Sequence, residues 1–72
     1  MITDATTLRE LERVLAAFDL TRCEVTGHLN GRITAHVQNE IRSVGAWGQG
    51  ATIAEAINSA LEEWARNTGA KS

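Results

Sequence analysis

The stretch VTGHLNGRITAHV, residues 25–37, decides the fold because it places an Asn-Gly turn between two runs rich in β-branched residues. Asn30-Gly31 is a strong hairpin signal and normally forms a two-residue turn. With that turn, the apolar side chains of the first strand would point to one face of the sheet and those of the second strand to the other. A shift of one residue exchanges the two faces of a strand, so the length of the turn decides which side chains are exposed.

A three-residue loop over residues 29–31 removes this conflict. Its usual form is a type I turn followed by a left-handed residue, and Gly31 falls at the left-handed position. The apolar side chains of both strands then share one face of the sheet, and the polar side chains share the other. We predict this register, in which the facing pairs are His28 and Arg32, Thr26 and Thr34, and Glu24 and His36.

Residues 43–49 predict a third strand, joined to the hairpin through a four-residue loop at residues 39–42. This loop pairs Val37 with Val44 and exposes Trp47. The alternative register turns Ile41 and Trp47 inward, together with Ser43 and Gly45, and so buries the tryptophan. We favour the exposed Trp47, which gives an open face of three rows: Glu24, His36, Gly45; Thr26, Thr34, Trp47; His28, Arg32, Gln49.

Two helices flank the strands in the sequence, and each begins at a capping box, the Ser/Thr-x-x-Glu spacing that satisfies free amides at a helix start. The first box is Thr7 to Glu10, and the second is Thr52 to Glu55 at the start of a helix over residues 52–67. Behind each box runs an apolar stripe at helical spacing. The stripes are Leu8, Leu11, Val14, Leu15 and Phe18 in the first helix, and Ile53, Ile57, Ala60, Leu61 and Trp64 in the second.

The predicted fold class is therefore α+β in the order α-β-β-β-α, a three-stranded antiparallel sheet with both helices packed on one face. We expect a single domain over residues 1–72, with an ordered core at about residues 5–67 and a C-terminal tail at 68–72. A chain of this size buries only about 60% of the surface that its unfolded form exposes. Dimerisation or partner binding would therefore add appreciably to its stability.

The charge pattern argues against a general nucleic-acid binder, because phosphate binding depends mainly on Lys and Arg. The net charge is −2, the arginines are scattered, and the single lysine, Lys71, lies in the tail. No apolar run approaches the roughly 20 residues that cross a bilayer. Charged residues near the N-terminus disfavour a signal peptide. The single cysteine, Cys23, excludes an internal disulfide and suits a reducing compartment. We therefore expect a cytoplasmic protein.

No catalytic or metal motif stands out in the sequence. His28 and His36 share the predicted open face, but at about 3.3 Å per residue their backbones are about 13 Å apart, too far for one metal ion. Glu24 opposite His36 is an acid–base pair without a neighbouring nucleophile, because Cys23 points to the other face. We expect no catalytic residues, no cofactor and no metal, and hence no enzyme.

The stretch GQGATIAEA, residues 48–56, resembles the strand-to-helix segment G-x-G-x-S-K-K-x-A of double-stranded-RNA-binding domains. Gly48, Gly50, Thr52 and Ala56 match that pattern, and VTGH followed by RITAHV resembles the first two strands of that family. The resemblance implies the α-β-β-β-α fold. The two lysines with which the family contacts phosphates correspond here to Ile53 and Ala54, and the first hairpin loop is too short to enter a minor groove. Binding of structured RNA by a degenerate member of the family is therefore the alternative function.

The second-helix segment GATIAEAINSALEEW also looks like that of HicB-type antitoxins, although the first helix would have no counterpart there. The compact layout is similar to that of small phage and mobile-element accessory proteins. We expect a protein-binding module, in its most concrete form an inhibitor or regulator of a host complex that serves evasion of host defences. The third strand, a glycine-rich edge, also suggests a homodimer. The expected partner-binding residues are Trp47, Arg32, His28, His36, Thr34, Glu24 and Gln49.

Overall fold

The computed structural model of the chain describes residues 2–68 and has the predicted α+β architecture. Helix α1 spans Leu8–Ala17, and strands β1, β2 and β3 span Arg22–Gly27, Ile33–Asn39 and Val44–Gly50. Helix α2 spans Ile53–Thr68. The strands form one antiparallel sheet in the order β1-β2-β3. This topology is consistent with the double-stranded-RNA-binding fold that the sequence resembles.

The β1–β2 hairpin has the predicted three-residue loop. Gly31 adopts a left-handed conformation with φ of 87°, and its N–H donates to the carbonyl of His28 at 3.0 Å. The N–H of His28 donates to the carbonyl of Arg32 at 2.9 Å, which closes the hairpin. Thr26 pairs with Thr34 and Glu24 with His36, as the alternation of apolar side chains predicted.

The predicted register between β2 and β3 was wrong by two residues. Val37 pairs with Ala46 instead of Val44, because β2 continues through Asn39 and the connecting turn occupies residues 40–43. The buried Asn39 amide donates to the carbonyl of Asp19 at 2.7 Å, and its oxygen accepts the N–H of Arg42 at 2.9 Å. These bonds hold Asn39 in the strand. An even shift preserves the faces of β3, so Trp47 remains exposed and the alternative with a buried Trp47 is wrong.

Helix α2 forms the core against β2 and β3. Its buried residues include Ile57, Leu61 and Trp64, and Trp64 is only 1% exposed, as predicted for a core residue. The backbone of α2 approaches β3 so closely that a Cβ on Gly48 would overlap the backbone nitrogen of Ala60. The small residues of the 48–56 segment therefore allow the helix to rest directly on the strand.

Helix α1 packs at the periphery of this core. Its predicted capping box is present: the N–H of Thr7 donates to the Glu10 carboxylate at 2.8 Å, and the N–H of Glu10 donates to Thr7 Oγ at 3.2 Å. None of its residues is fully buried, however, and Leu8 at the start of the predicted stripe is 71% exposed. The indole N–H of Trp64 donates to the carbonyl of Phe18 at 3.0 Å and links the end of α1 to α2.

The ends of the chain differ in detail from the sequence prediction. Ile2 lies before the expected start of the core, yet it is buried, and its backbone exchanges two hydrogen bonds with the amide of Asn58. Thr68, predicted to begin the tail, is the last residue of α2, and the tail at 69–72 lies outside the described residues. Within residues 2–68, neither helix has the length and apolar character needed to cross a membrane.

Candidate functional site

The face of the sheet that points away from the helices carries the candidate site, which we call the open face. Its side chains alternate along the strands with buried ones such as Ala35, Val37 and Ala46. Each predicted partner-binding residue lies on this face or at its hairpin end. The open face consists of Arg22, Glu24, Thr26, His28, Arg32, Thr34, His36, Gln38, Gly45, Trp47 and Gln49.

An aromatic stack dominates the open face. The imidazole of His36 lies against the indole of Trp47 with ring centroids 4.0 Å apart and the ring planes 6° from parallel. Trp47 nevertheless remains 62% exposed. The sequence prediction had placed Thr34 beside Trp47; in the structure Thr34 pairs with Gln49, because the two-residue register shift moves every β3 side chain along by one row.

Gly45 makes room for the histidine of this stack. A Cβ at Gly45 would lie 2.9 Å from His36 Nε2 and 2.9 Å from the carbonyl of Val37. Both distances are too short for a real side chain, so a larger residue would push the imidazole away. A shallow depression of about 230 Å³ opens beside Gly45, between His36 and the β2–β3 turn. The absence of a side chain at Gly45 thus leaves space for the His36 imidazole against the Trp47 indole.

A charged cluster borders the stack on the β1 side. Arg22 pairs with Glu24 and with Glu40, the latter at 3.2 Å. The hydrogen bond from Arg22 to Glu40, together with the charge of Glu24, raises the pKa of the Arg22 guanidinium above its ordinary value. Glu24 also lies 3.8 Å from His36 Nδ1, a distance longer than a hydrogen bond. The sequence prediction omitted Arg22, although it continues the alternation of Glu24 and Thr26.

The hairpin end of the open face carries an unbalanced positive charge. His28 Nε2 and Thr34 Oγ share a hydrogen bond of 2.8 Å, which connects the end of β1 to the start of β2. Asn30 Oδ1 accepts the backbone N–H of Arg32 at 3.0 Å. The Arg32 guanidinium makes no ion pair with any residue in the range 2–68, so it is available to an acidic group of a partner.

Comparison of the chain with protein-family models, curated proteins and solved structures finds no match. We therefore infer its function from the geometry of the open face.

The remaining reactive groups lie apart from one another. Cys23 is half-buried on the helix-facing side of β1, and burial, followed by the nearby charge of Glu24, raises the pKa of its thiol. A thiol with a raised pKa is a weak nucleophile at neutral pH. In the part of the chain that the structure describes, no three His, Cys, Asp or Glu side chains come together as metal ligands would.

Proposed function

We propose that this chain is a non-catalytic module that binds a protein partner through the open face. The observation that carries the proposal is the exposed Trp47, held in place by its stack on His36. Tryptophan is enriched among the residues that contribute most to protein–protein binding, because a large flat ring loses much water on contact. A ring already held in one orientation also loses less conformational entropy when a partner covers it.

The surroundings of Trp47 have the organisation of a binding surface, with an apolar centre and a polar rim. Glu24, Thr34 and Gln49 lie next to the aromatic stack and offer hydrogen-bonding groups. The guanidinium of Arg32, which makes no ion pair with residues 2–68, adds a positive charge at the hairpin end. A complementary partner presents an apolar or aromatic group to the indole and a carboxylate to Arg32.

The same surface gives little support to catalysis. Glu24 and His36 are the only acid–base pair that the open face brings near each other within residues 2–68, and they are 3.8 Å apart. The thiol of Cys23 belongs to the opposite side of the sheet and has a raised pKa. The ring of His36 stacks on an indole, which cannot act as a nucleophile. The histidine therefore serves best as a support for Trp47.

The most concrete form of this function is a phage or mobile-element inhibitor that blocks a host complex by surface binding. Its support is the resemblance in size and layout to such accessory proteins, together with a surface that offers contact and no chemistry. A regulator of the same kind, acting in the cytoplasm, would use the same residues.

The proposal is tested with two substitutions on the open face and one control. Trp47→Ala removes the indole, and Arg32→Glu reverses the charge at the hairpin end; both side chains are exposed, so we expect both variants to unfold cooperatively in urea as the wild type does. Loss of a well-packed interface tryptophan typically costs about 2–4 kcal/mol of binding energy, or about 30- to 1000-fold in affinity. Leu8→Ala, an exposed apolar residue on α1, is the matched control.

The measurement is capture of partners from the native host, identified by mass spectrometry and quantified for each variant. We expect the wild type and Leu8→Ala to retain the same partner, and Trp47→Ala and Arg32→Glu to lose it. Full capture by both open-face variants would remove this surface from consideration. A gel shift with double-stranded RNA from low to physiological salt tests the alternative: tight binding with a steep salt dependence would favour the RNA-binding function.

A further inference from the structure

The two edges of the sheet are chemically different. Strand β1 carries Arg22 and Glu24, and charged side chains of this kind discourage an edge strand from pairing with another chain. Strand β3 has the sequence VGAWGQG, and the chain contains no charged residue from position 43 to position 54. Seven residues is long for an unprotected edge. The β3 edge therefore lacks the usual protection against strand pairing.

The hydrogen-bond alternation identifies which backbone groups of β3 point outward. In an antiparallel pair, every second residue bonds to its partner strand and the residues between point the other way. The bond from His28 to Arg32 starts this alternation, so Thr34 and His36 bond to β1. The β2 residues between them bond to β3, at Ala46 and Gly48 among others. The N–H and C=O groups that point out from the β3 edge are those of Gly45, Trp47 and Gln49.

These outward groups are unpaired in the described part of the chain: no residue in the range 2–68 forms a hydrogen bond with them. The aromatic stack leaves a second free surface at the same place. His36 on β2 covers the inner face of the Trp47 indole, so the opposite face looks out beyond the edge. Val44, whose side chain lies on the helix side of the edge, is also 40% exposed.

We infer that β3 pairs antiparallel with β3 of a second copy of this chain, with Trp47 directly opposite its own counterpart. Pairing of Trp47 with itself sets Gly45 opposite Gln49 of the second copy, and Gln49 opposite Gly45. In this register every outward N–H and C=O group of both strands has a hydrogen-bonding partner in the other copy. If the two-fold axis that relates the copies moves by one residue along β3, some of these groups lose their partner. No like charges meet between the paired strands, because β3 has none.

The same register joins the aromatic rings of the two copies. Directly opposite residues have Cβ atoms about 5 Å apart on one face of the sheet, a spacing at which two indoles stack in an offset arrangement. Four aromatic rings then lie in a row across a six-stranded sheet: His36 and Trp47 of one copy, and the same two residues of the second copy. The second copy covers the free indole face and the exposed part of Val44. The inference goes beyond the proposed function and shares His36, Trp47 and Gln49 with it.

Sedimentation equilibrium of the full chain over a range of concentrations tests this inference. A strand-to-strand interface is small, so we expect half of the chains to be dimeric at about 0.1 mM. Gln49→Pro removes an outward N–H at two places in the dimer, and proline at an edge leaves the bonds to β2 intact. We expect it to weaken dimerisation by at least about 10-fold. Val25→Pro, which removes an outward N–H of the β1 edge, is the matched control and should dimerise as the wild type does.

A second readout reports the register and does not depend on any variant. Two indoles held face to face give an exciton couplet in the circular-dichroism spectrum, and we expect this couplet to disappear on dilution together with the dimer. A monomer at about 1 mM would overturn the inference and leave the β3 edge to a strand of another protein. A dimer that Val25→Pro disrupts and Gln49→Pro does not would overturn it in favour of the β1 edge.

Arg32→Glu separates this inference from the proposed function, because Arg32 lies at the hairpin end and away from the β3 backbone. If both proposals hold, Arg32→Glu loses the protein partner and still dimerises like the wild type. Loss of the partner by a chain that never dimerises would support the proposed function and contradict the dimer. Dimerisation of the wild type, together with full partner capture by Arg32→Glu and Trp47→Ala, would support the dimer and contradict the proposed function.

Discussion

Helices α1 and α2 resemble each other in the sequence and differ in the structure. Each begins with a Thr-x-x-Glu sequence and continues with an apolar stripe. In α2 the stripe is buried against β2 and β3 from Ile57 onward, although Ile53 at its start is 54% exposed, whereas no residue of α1 is fully buried. The difference shows that an amphipathic pattern specifies which side of a helix is apolar, and that the neighbouring elements decide how much of that side is covered.

The cause of the difference lies in β3. Gly48 and Gly50 bring the backbone of α2 directly onto the strand, where a side chain at either position would meet the helix. Strand β1 does not allow α1 to approach in the same way, because the side chains of Cys23 and Val25 project from it. Val25 stays 42% exposed. Helix α1 instead packs on the core through half-buried side chains such as Leu11 and Leu15, and the indole N–H of Trp64 donates to the carbonyl of Phe18 at its end.

Among the variants that test the contact of α2 with β3, Gly48→Ala is expected to change the free energy of unfolding most. The new methyl group would lie 2.5 Å from the carbonyl oxygen of Ala56, and a backbone contact of this kind cannot be relieved by a side-chain rotation. We expect the free energy of unfolding to fall by more than about 3 kcal/mol, the top of the usual range for overpacking. Urea denaturation measures the change.

Gly27→Ala is the matched control, because a Cβ at Gly27 meets nothing within 4 Å. It should leave the stability unchanged or raise it by up to about 1 kcal/mol. Equal losses in the two variants would show that α2 does not rest on β3 through Gly48.

A pair of leucine substitutions compares the two helices directly. Leu61 in α2 is fully buried, and Leu61→Ala should lower the free energy of unfolding by about 3 kcal/mol. Leu8 in α1 is 71% exposed, so Leu8→Ala should change it by less than about 0.5 kcal/mol. Both values come from thermal or urea unfolding of the purified variants. Similar values for the two leucines would contradict the unequal burial of the helices.

The smallest effect concerns the cap that holds the start of α1. Hydrogen bonds from the backbone and then the side chain of Thr7 lower the pKa of the Glu10 carboxyl below 4.5. A carboxyl with a lowered folded-state pKa stabilises the protein above its unfolded-state pKa, and this contribution is lost as the pH falls through the folded-state value. The stability advantage of the wild type over Glu10→Gln should therefore be present at neutral pH and shrink as acidification protonates the Glu10 carboxylate of the folded protein.

Glu12→Gln is the control for the cap, because Glu12 is exposed on the same helix and makes no hydrogen bond with the residues in the range 2–68. Its difference from the wild type should not show the same loss on acidification. A pH-independent difference between the wild type and Glu10→Gln would mean that the capping bond contributes nothing to stability.

The local parts of the fold were predictable because near neighbours determine them. Alternation of side chains along residues 23–37 required a three-residue loop, and only a residue that tolerates positive φ suits the position of Gly31. The sequence favoured an exposed Trp47 and left the buried alternative open; the exposed side was correct because the error in the register was an even number of residues. The helix starts at Thr7 and Thr52 followed from the capping pattern, since a cap involves residues only three positions apart.

Contacts between distant residues decided the rest. The neighbour of Trp47 was predicted wrongly because the turn after β2 depends on Asn39, whose side chain binds the carbonyl of Asp19, 20 positions away. No pattern within β2 or β3 reveals that bond. The stack of His36 on Trp47 and the space that Gly45 leaves for the imidazole both follow from the corrected register.

The sequence by itself determined the order of the elements, the hairpin register and which side chains of β1 and β2 face the helices, because these depend on alternation, turn geometry and capping over a few residues. Only the tertiary structure decided that α2 and not α1 is buried, and that His36 and not Thr34 lies beside Trp47. Both outcomes depend on close approaches between segments far apart in the chain, where the position of one amide or the absence of one methyl group shifts the balance.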